Sequence, residues 1–237
     1  MATILIGLDD TDNQTSRGTG HMARMLLAEL AQRGCAAIGV SRHQLLLDPR
    51  IPYTSHNSSA CVAVAAAGPG EAEVAFDFVA ARAAEGSDPG VCVAAVDLVP
   101  PDVIAFARRA TREIVEMDEA FALAEAAGLP LRALGGSGLG VIGALSAVGL
   151  RAEGNEGRVI ALPGLREMPR RVRGEDFARL GIRLRHQGRQ PNADDAYDTL
   201  DWVRPRLVAG QAVLPVEWSE EHDAWVPVDR KRSRPLE

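Results

Sequence analysis

An apolar run that ends abruptly in acids opens the chain. Residues 3–8 have the β-branched and aliphatic composition of a buried strand. Three acids follow within four positions: Asp9, Asp10 and Asp12. After a polar loop over 13–20, apolar residues at helical spacing predict a helix over 21–32. Strand, loop and helix in this order predict an α/β fold with an anion site at the helix N-terminus, where amides are free and the dipole is positive.

The clustering of the three aspartates favours binding of a cation. Two carboxylates about 4 Å apart repel by roughly 4 kcal/mol at an effective dielectric constant near 20. Such a cluster is stable when it is solvated, when it caps backbone amides, or when a cation is shared. Mg²⁺ takes one or two carboxylates and completes its octahedron with water and phosphate. We therefore predict that Asp9, Asp10 and Asp12 are metal ligands and catalytic residues, and turn-forming or capping aspartates are the alternative.

The polar loop supplies the groups that an anion needs. It offers hydroxyls, flexible backbone amides and one guanidinium directly before the predicted helix. The predicted nucleotide-binding residues here are Thr11, Ser16, Gly18, Thr19 and Gly20. Arg17 is a candidate for stabilising charge during group transfer, and His21 for a general base or phosphoryl acceptor. A solvated histidine at the start of a helix is the alternative for His21. Asp10-Thr11-Asp12 also resembles the Asp-x-Asp of haloacid-dehalogenase phosphatases, although Gln14 stands where that motif takes Thr or Val.

A second glycine-rich stretch covers residues 135–149. Within it, Gly138, Gly140 and Gly143 fit the spacing Gly-x-Gly-x-x-Gly. Three interpretations stay open: a phosphate-facing loop, a dinucleotide fingerprint, and close packing of a helix. The first adds four nucleotide-binding candidates: Gly136, Ser137, Gly138 and Gly140. The polar loop that holds His56, Asn57 and Ser58 is predicted to line the same cleft.

Composition excludes several classes of protein. The longest apolar runs, such as 60–67, are too short to span a bilayer, and the N-terminus lacks the basic segment of a signal peptide. The three cysteines form no Cys-x-x-Cys pair, which excludes a zinc ribbon and favours buried thiols in a reducing, cytoplasmic compartment. Lys231 is the only lysine. The negative charge of a bound phosphate must therefore be neutralised by arginine, backbone amides or a metal ion.

The charges of the C-terminal third are segregated. Residues 166–189 hold eight arginines against three acids, and residues 194–201 hold four aspartates and no base. The net charge of −6 argues against a general nucleic-acid coat. The arginines either follow a phosphate backbone or form a solvated face balanced by the aspartates, and we favour the second interpretation.

Three segments, in this order, resemble one known family: GLDDTDNQTSRGTGHMARMLLAEL, LLLDPRIPYTSHNSSACVAV and GSGLGVIGALSAVGL. The family is the archaeal tRNA-isoleucine agmatidine synthetases. The resemblance implies a mixed-sheet, kinase-like α/β domain over 1–50 and 132–237, with an inserted ferredoxin-like α/β sandwich over 51–131. It also implies use of ATP and Mg²⁺ at the acidic loop, to activate a cytidine of tRNA by phosphorylation.

The chain departs from that family at several positions. His21 stands near the position of the family's phosphorylated threonine, and Thr54 and His56 replace basic residues. We expect the family's OB-fold and zinc ribbon to be absent. The predicted function is therefore that of an ATP- and Mg²⁺-dependent phosphotransferase or synthetase-like enzyme. Its acceptor is a nucleoside, an RNA or a small metabolite, and an oligomer is compatible with the sequence. The alternatives are a non-catalytic nucleotide-binding module and a dinucleotide-binding oxidoreductase.

Overall fold

The computed structural model describes residues 2–53, 56–66, 68, 70–201 and 203–229. Thr54 and Lys231, which entered the sequence argument, lie outside these ranges. Among the described residues, no helix combines the length and apolarity that a bilayer crossing requires.

The first half alternates strands and helices. Its elements are β1 (Thr3–Asp9), α1 (Thr19–Gln32), β2 (Ala36–Gln44), β3 (Ser58–Ala65), α2 (Glu71–Ala80) and β4 (Gly90–Ala95). The strands pair antiparallel in the order β4-β1-β3-β2. This β-α-β-β-α-β order is the ferredoxin-like motif. Helices α1 and α2 cover one face of the sheet, where Ile6 and Leu8 of β1 pack against Leu26 and Phe76.

Three helices cover the opposite face. After a short 3₁₀ turn come α3 (Pro101–Ala110), α4 (Met117–Ala126), β5 (Leu131–Ala133) and α5 (Gly140–Glu153). Leu5 of β1 points to this side and packs with Phe106 and Leu145. Because both faces of β1 are covered, its residues from Leu5 to Leu8 are buried on either side. This double burial explains why the strand has a continuous apolar run.

The C-terminal part extends the sheet beyond β2. Its elements are β6 (Arg158–Ala161), β7 (Arg171–Val172), α6 (Gly174–Arg179), β8 (Ile182–Gln187), β9 (Tyr197–Asp198), β10 (Arg206–Val208), β11 (Gln211–Ser219) and β12 (Ala224–Pro227). β6 joins β2 to β10, and β8 and β9 pair parallel to β11 and β12, so the whole sheet is mixed. A third core forms here around Trp225 and Phe177.

The segregated charges of the C-terminal third pair with each other. Arg170 donates to the carboxylate of Asp198 at 3.0 Å, and Arg189 to that of Asp195 at 3.0 Å. Asp198 is only 2% exposed. The predicted balance between this arginine cluster and the aspartates of 194–201 is confirmed for these pairs.

The fold agrees with the predicted mixed α/β class. The domain boundaries at 50 and 132 stay a prediction, and strands from both sides of residue 50 pair in one sheet: β1 and β2 with β3 and β4. The sequence of residues 43–47 favours a strand there, but the strand of the structure ends at Gln44. The strand is β2, Ala36–Gln44, which contains Gly39 and the polar pair Ser41 and Arg42 and therefore lacks an apolar pattern.

Candidate functional site

A cavity of about 680 Å³ opens beside the acidic loop, residues 9–12. Among the described residues, its walls come from the acidic loop, Thr19 at the start of α1, residues 45–53 and 56–58, residues 110–118, and the start of α5. The volume falls in the range of small-molecule sites, about 300–1,000 Å³. We call it the acidic-loop cavity.

Asp9 ends β1 and lies against the first turn of α5. An ideal Cβ on Gly143 would come within 1.7 Å of Asp9 Oδ2, so only glycine leaves room for this carboxylate. Burial, followed by the negative charges of Asp10 and Asp12, raises the pKa of Asp9 to about 7, although the amide of Asp10 opposes the shift. A carboxylate at this position is costly to ionise without a cation.

Asp10 is held in a left-handed backbone conformation, with φ of 50°. Burial is the main cause that raises its pKa to about 6, and the charges of Asp88 and Asp12 add to it. Asp88 in turn accepts hydrogen bonds from the amide and hydroxyl of Ser137 at 2.5 and 2.6 Å. The second glycine-rich stretch is thereby anchored beside the acidic loop.

Asp12 binds the N-terminus of helix α1. Its Oδ1 accepts hydrogen bonds from the amide and the hydroxyl of Thr19, both at 2.8 Å, and so caps the N-terminus of α1. In the described part of the chain no three His, Cys, Asp or Glu side chains are arranged to hold a metal ion. Asp12 Oδ1 is thus turned toward the helix. The metal-ligand role predicted for Asp9, Asp10 and Asp12 stays a prediction.

Hydrogen bonds within the loop between β1 and α1 hold its conformation. Asn13 Oδ1 accepts from the amides of Thr15 and Ser16, each at 3.0 Å, and Ser16 Oγ accepts from the amide of Asn13. Thr11 is buried and its hydroxyl donates to Thr19 Oγ1 at 3.2 Å. These bonds explain the shape of the loop without a ligand.

The structure brings some of the predicted site residues together and leaves others apart. Those that line the cavity are Asp9, Asp10, Asp12, Thr19, Asn57, Ser58 and Gly140, with His56 beside them. Those that do not are Thr11, Ser16, Arg17, Gly18, Gly20, His21, Gly136, Ser137 and Gly138. His21 has a lowered pKa because of desolvation and the nearby charges of Arg17 and Arg24. The predicted catalytic roles of Arg17 and His21 thus have no support from their position.

The glycines of the second stretch serve packing. A Cβ on Gly140 would lie 2.1 Å from the carbonyl oxygen of Asp88, and one on Gly136 would lie 1.4 Å from its Oδ1. The preceding strand, β5, pairs antiparallel with β4 at the edge of the sheet. A dinucleotide fingerprint needs a parallel β-α-β frame, so this Gly-x-Gly-x-x-Gly is not one.

Sequence reasoning missed the apolar wall of the cavity. This wall consists of Leu45, Ile51, Pro52, Tyr53, Ile114, Val115, Met117, Leu139 and Ile142. Its members come from segments up to about a hundred residues apart, and no local pattern marks them as neighbours. Tyr53 is 42% exposed and presents the cavity's aromatic ring among the described residues.

No family model matches the chain, and no curated protein matches it. Several solved structures do match the chain. The apo form of TiaS, a tRNA agmatidine synthetase, is 26% identical over 62% of this chain and 35% of its own, with a TM-score of 0.53. A tRNA fluorescent labeling enzyme is 28% identical over 62% and 36%, with a TM-score of 0.54. The complex of TiaS with its tRNA and ATP is 27% identical over 63% and 36%, with a TM-score of 0.55.

The chain thus spans about a third of the length of these proteins, 35–36%. The likeness confirms the resemblance to the agmatidine synthetases at the level of a TiaS-like mixed α/β fold.

Proposed function

We propose that this TiaS-like chain binds Mg²⁺ and ATP in the acidic-loop cavity and uses them to activate an RNA acceptor, as a phosphotransferase or synthetase. The observation that carries the proposal is the position of Asp9 and Asp10, two acids of raised pKa in a cavity with a largely apolar wall. The similarity to a TiaS structure that contains ATP and tRNA supports both the nucleotide and the acceptor class.

The residues present fit a magnesium ion. The charge of Asp10 disfavours ionisation of Asp9, and a divalent cation between the two carboxylates would reverse that preference. Mg²⁺ is commonly held by one or two carboxylates together with phosphate oxygens and water. When bound, it would neutralise the charge of the phosphates. The chain itself would position the nucleotide: the apolar wall excludes water around the base, and the N-terminus of α5 faces the cavity at Gly140.

Replacing Asp10 with asparagine should weaken Mg²⁺-dependent ATP binding at least tenfold. The substitution removes the charge but keeps the shape, and asparagine tolerates the left-handed φ of 50° at this position. Isothermal titration calorimetry with ATP, in the presence of Mg²⁺ and of EDTA, measures the effect. The wild-type protein should bind only with Mg²⁺.

Asp97→Asn is the matched control, since Asp97 is exposed in the turn after β4 and lies outside the cavity. It should bind ATP as the wild type does. Equal ATP affinity with Mg²⁺ and with EDTA in the wild type would contradict the proposed metal dependence.

Tyr53 is expected to contact the base. Stacking of a base on an aromatic ring is worth about 1–3 kcal/mol, so Tyr53→Ala should weaken ATP binding roughly tenfold and Tyr53→Phe should leave it nearly unchanged. Fluorescence competition between ATP and inorganic triphosphate distinguishes the contribution of the base. If Tyr53→Ala weakened both ligands equally, the ring would contact the phosphates or the fold and not the base.

A second candidate is a nucleotide-binding module without catalysis. Two observations favour it: Asp12 is committed to capping α1, and His21 lies off the cavity wall. This module would bind ATP with Mg²⁺ but would release no phosphate or AMP with a tRNA transcript and an amine present. Turnover measured with radiolabelled ATP decides between the two candidates.

A further inference from the structure

Three arginines stand side by side across three neighbouring strands. In the register of the sheet, Arg42 of β2 is opposite Arg158 of β6, and Arg158 is opposite Arg206 of β10. Directly opposite residues point to the same face with Cβ atoms about 5 Å apart, and like charges there destabilise the sheet. Anions that lie against such a row offset this repulsion.

Of the described carboxylates, Asp229 alone forms ion pairs with this row. Arg158 and Arg206 both donate to Asp229, the latter at 3.0 Å. Arg42 donates from Nε to Ser58 Oγ at 2.9 Å, and no carboxylate of the described residues lies within 4 Å of it. Arg42 is also partly buried, which lowers its pKa. A desolvated guanidinium with no carboxylate in ion-pair contact can donate hydrogen bonds to an external anion.

The row lies in a groove of about 510 Å³, which we call the arginine groove. Its polar lining holds four arginines against one acid: Arg42, Gln44, Asn155, Glu156, Arg158, Arg204 and Arg206. Arg204 has a lowered pKa because of desolvation and the charges of other arginines, Arg42 and Arg166 first among them. Arg24 of α1 is influenced in the same way by Arg166 and Arg17. The positive potential therefore continues from the groove along the surface toward α1.

The groove adjoins the acidic-loop cavity. Ser58, which accepts the hydrogen bond of Arg42, lines that cavity, and so does Asp12, whose charge acts on Arg42. With strands about 4.8 Å apart, the row from Arg42 to Arg206 covers about 10 Å leading away from the cavity. A single nucleotide in the cavity would not cover this length, whereas a nucleic-acid strand would.

We propose that the arginine groove binds the phosphodiester backbone of an RNA strand whose reacting nucleotide enters the acidic-loop cavity. The inference rests on the proposed function for the choice of RNA. The guanidinium fork matches phosphate oxygens bidentately, and because the chain carries a net charge of −6, binding of a polyanion must be local to such a patch.

The test measures anisotropy of a fluorescein-labelled tRNA transcript with the full chain, between about 50 and 200 mM salt. The double variant Arg42→Gln/Arg204→Gln should bind at least tenfold more weakly. Its slope of log affinity against log salt should fall by about 1.5, because each lost phosphate contact removes about 0.7–0.9. Arg42→Lys should retain most of the slope, since it keeps the charge. A double variant that binds as the wild type does would overturn the proposal.

The matched control is Arg112→Gln/Arg185→Gln, which removes the same charge at two exposed positions outside the groove. It should bind tRNA within twofold of the wild type. If it lost as much affinity, net charge and not the groove would be responsible. If the groove variant lost binding of inorganic phosphate but kept that of tRNA, the groove would be a small-anion site and the proposal would fail.

ATP binding of each variant is measured in parallel. The groove variant should keep Mg²⁺-dependent ATP binding, which also shows that it is folded. If the wild type bound tRNA through the groove but did not bind ATP, the proposed function would be wrong, while the proposal that the groove binds RNA would be supported. Absence of tRNA binding by a wild type that binds ATP would overturn only the proposal that the groove binds RNA.

Arg24→Gln/Arg204→Gln replaces the first variant if Arg42→Gln does not fold, and the same losses of tRNA affinity and salt slope are expected.

Discussion

Lowering the pH from 7 to 4.5 is expected to destabilise the wild-type protein by about 2–3 kcal/mol more than a His43→Gln variant. His43 is 0% exposed, and its Nε2 is 2.8 Å from Ser41 Oγ. Its Nδ1 has no hydrogen-bond partner among the described residues. Burial, followed by the charge of Arg151, lowers the pKa of His43 from 6.5 to about 3, although the nearby backbone of Glu156 opposes the shift. The neutral ring is therefore compatible with the fold, and the protonated ring is not.

The direction of the effect follows from the two pKa values. The unfolded chain takes up a proton near pH 6.5 and the folded chain only near pH 3, so stability from the neutral ring is full above 6.5 and is lost as the pH falls. Urea unfolding at pH 7, 6, 5 and 4.5 measures the slope. The acids of the acidic loop are common to both proteins and cancel in the comparison.

His56→Gln is the control, because it makes the same replacement at an exposed position. This variant keeps His43 and should therefore retain the loss of stability toward pH 4.5 that His43 causes. A His43→Gln variant with the wild-type slope would show that the imidazole reaches solvent or finds a partner on protonation.

The local elements could be predicted from sequence because their signals are local. The strand, the acidic loop and α1 follow directly from apolar spacing and glycine content. The hairpin of β10 and β11 turns at Ala209 and Gly210, with φ of 47° and 75°, and a glycine in such a place is a local signal for a turn. In contrast, the full extent of α5, Gly140–Glu153, is not evident from sequence, because its glycines have low helix propensity although they allow close contact with the sheet.

The cavity was predictable only in part. The end of an apolar strand fixed where Asp9 and Asp10 lie. The direction of Asp12 depends on how the loop closes onto Thr19, which no spacing shows. The segment 110–118 and the row of Arg42, Arg158 and Arg206 depend on pairings between distant parts of the chain. Strand register carries that information, and a single sequence does not reveal it.

The site also depends on how closely α5 approaches β1, and Gly7 controls this approach. An ideal Cβ on Gly7 would lie 2.0 Å from the carbonyl oxygen of Ala144 and 3.1 Å from Val148 Cγ2. The first neighbour is backbone, so it cannot yield by changing a rotamer. The helix would have to move away from the strand, and Gly143 would leave the carboxylate of Asp9.

Gly7→Ala is therefore expected to destabilise the protein by about 3 kcal/mol and to lower its midpoint of thermal unfolding by roughly 6–12 °C. Mg²⁺-dependent ATP binding should weaken with it, because Asp9 loses its support. Gly18→Ala is the matched control, since the nearest atom to its Cβ would be Asp12 Oδ2 at 3.8 Å and its φ of −59° suits alanine. It should change stability by less than about 1 kcal/mol. Because the two variants add the same methyl group, a difference between them measures the contact of helix and strand, and equal stability would show that α5 lies farther from β1 than the structure places it.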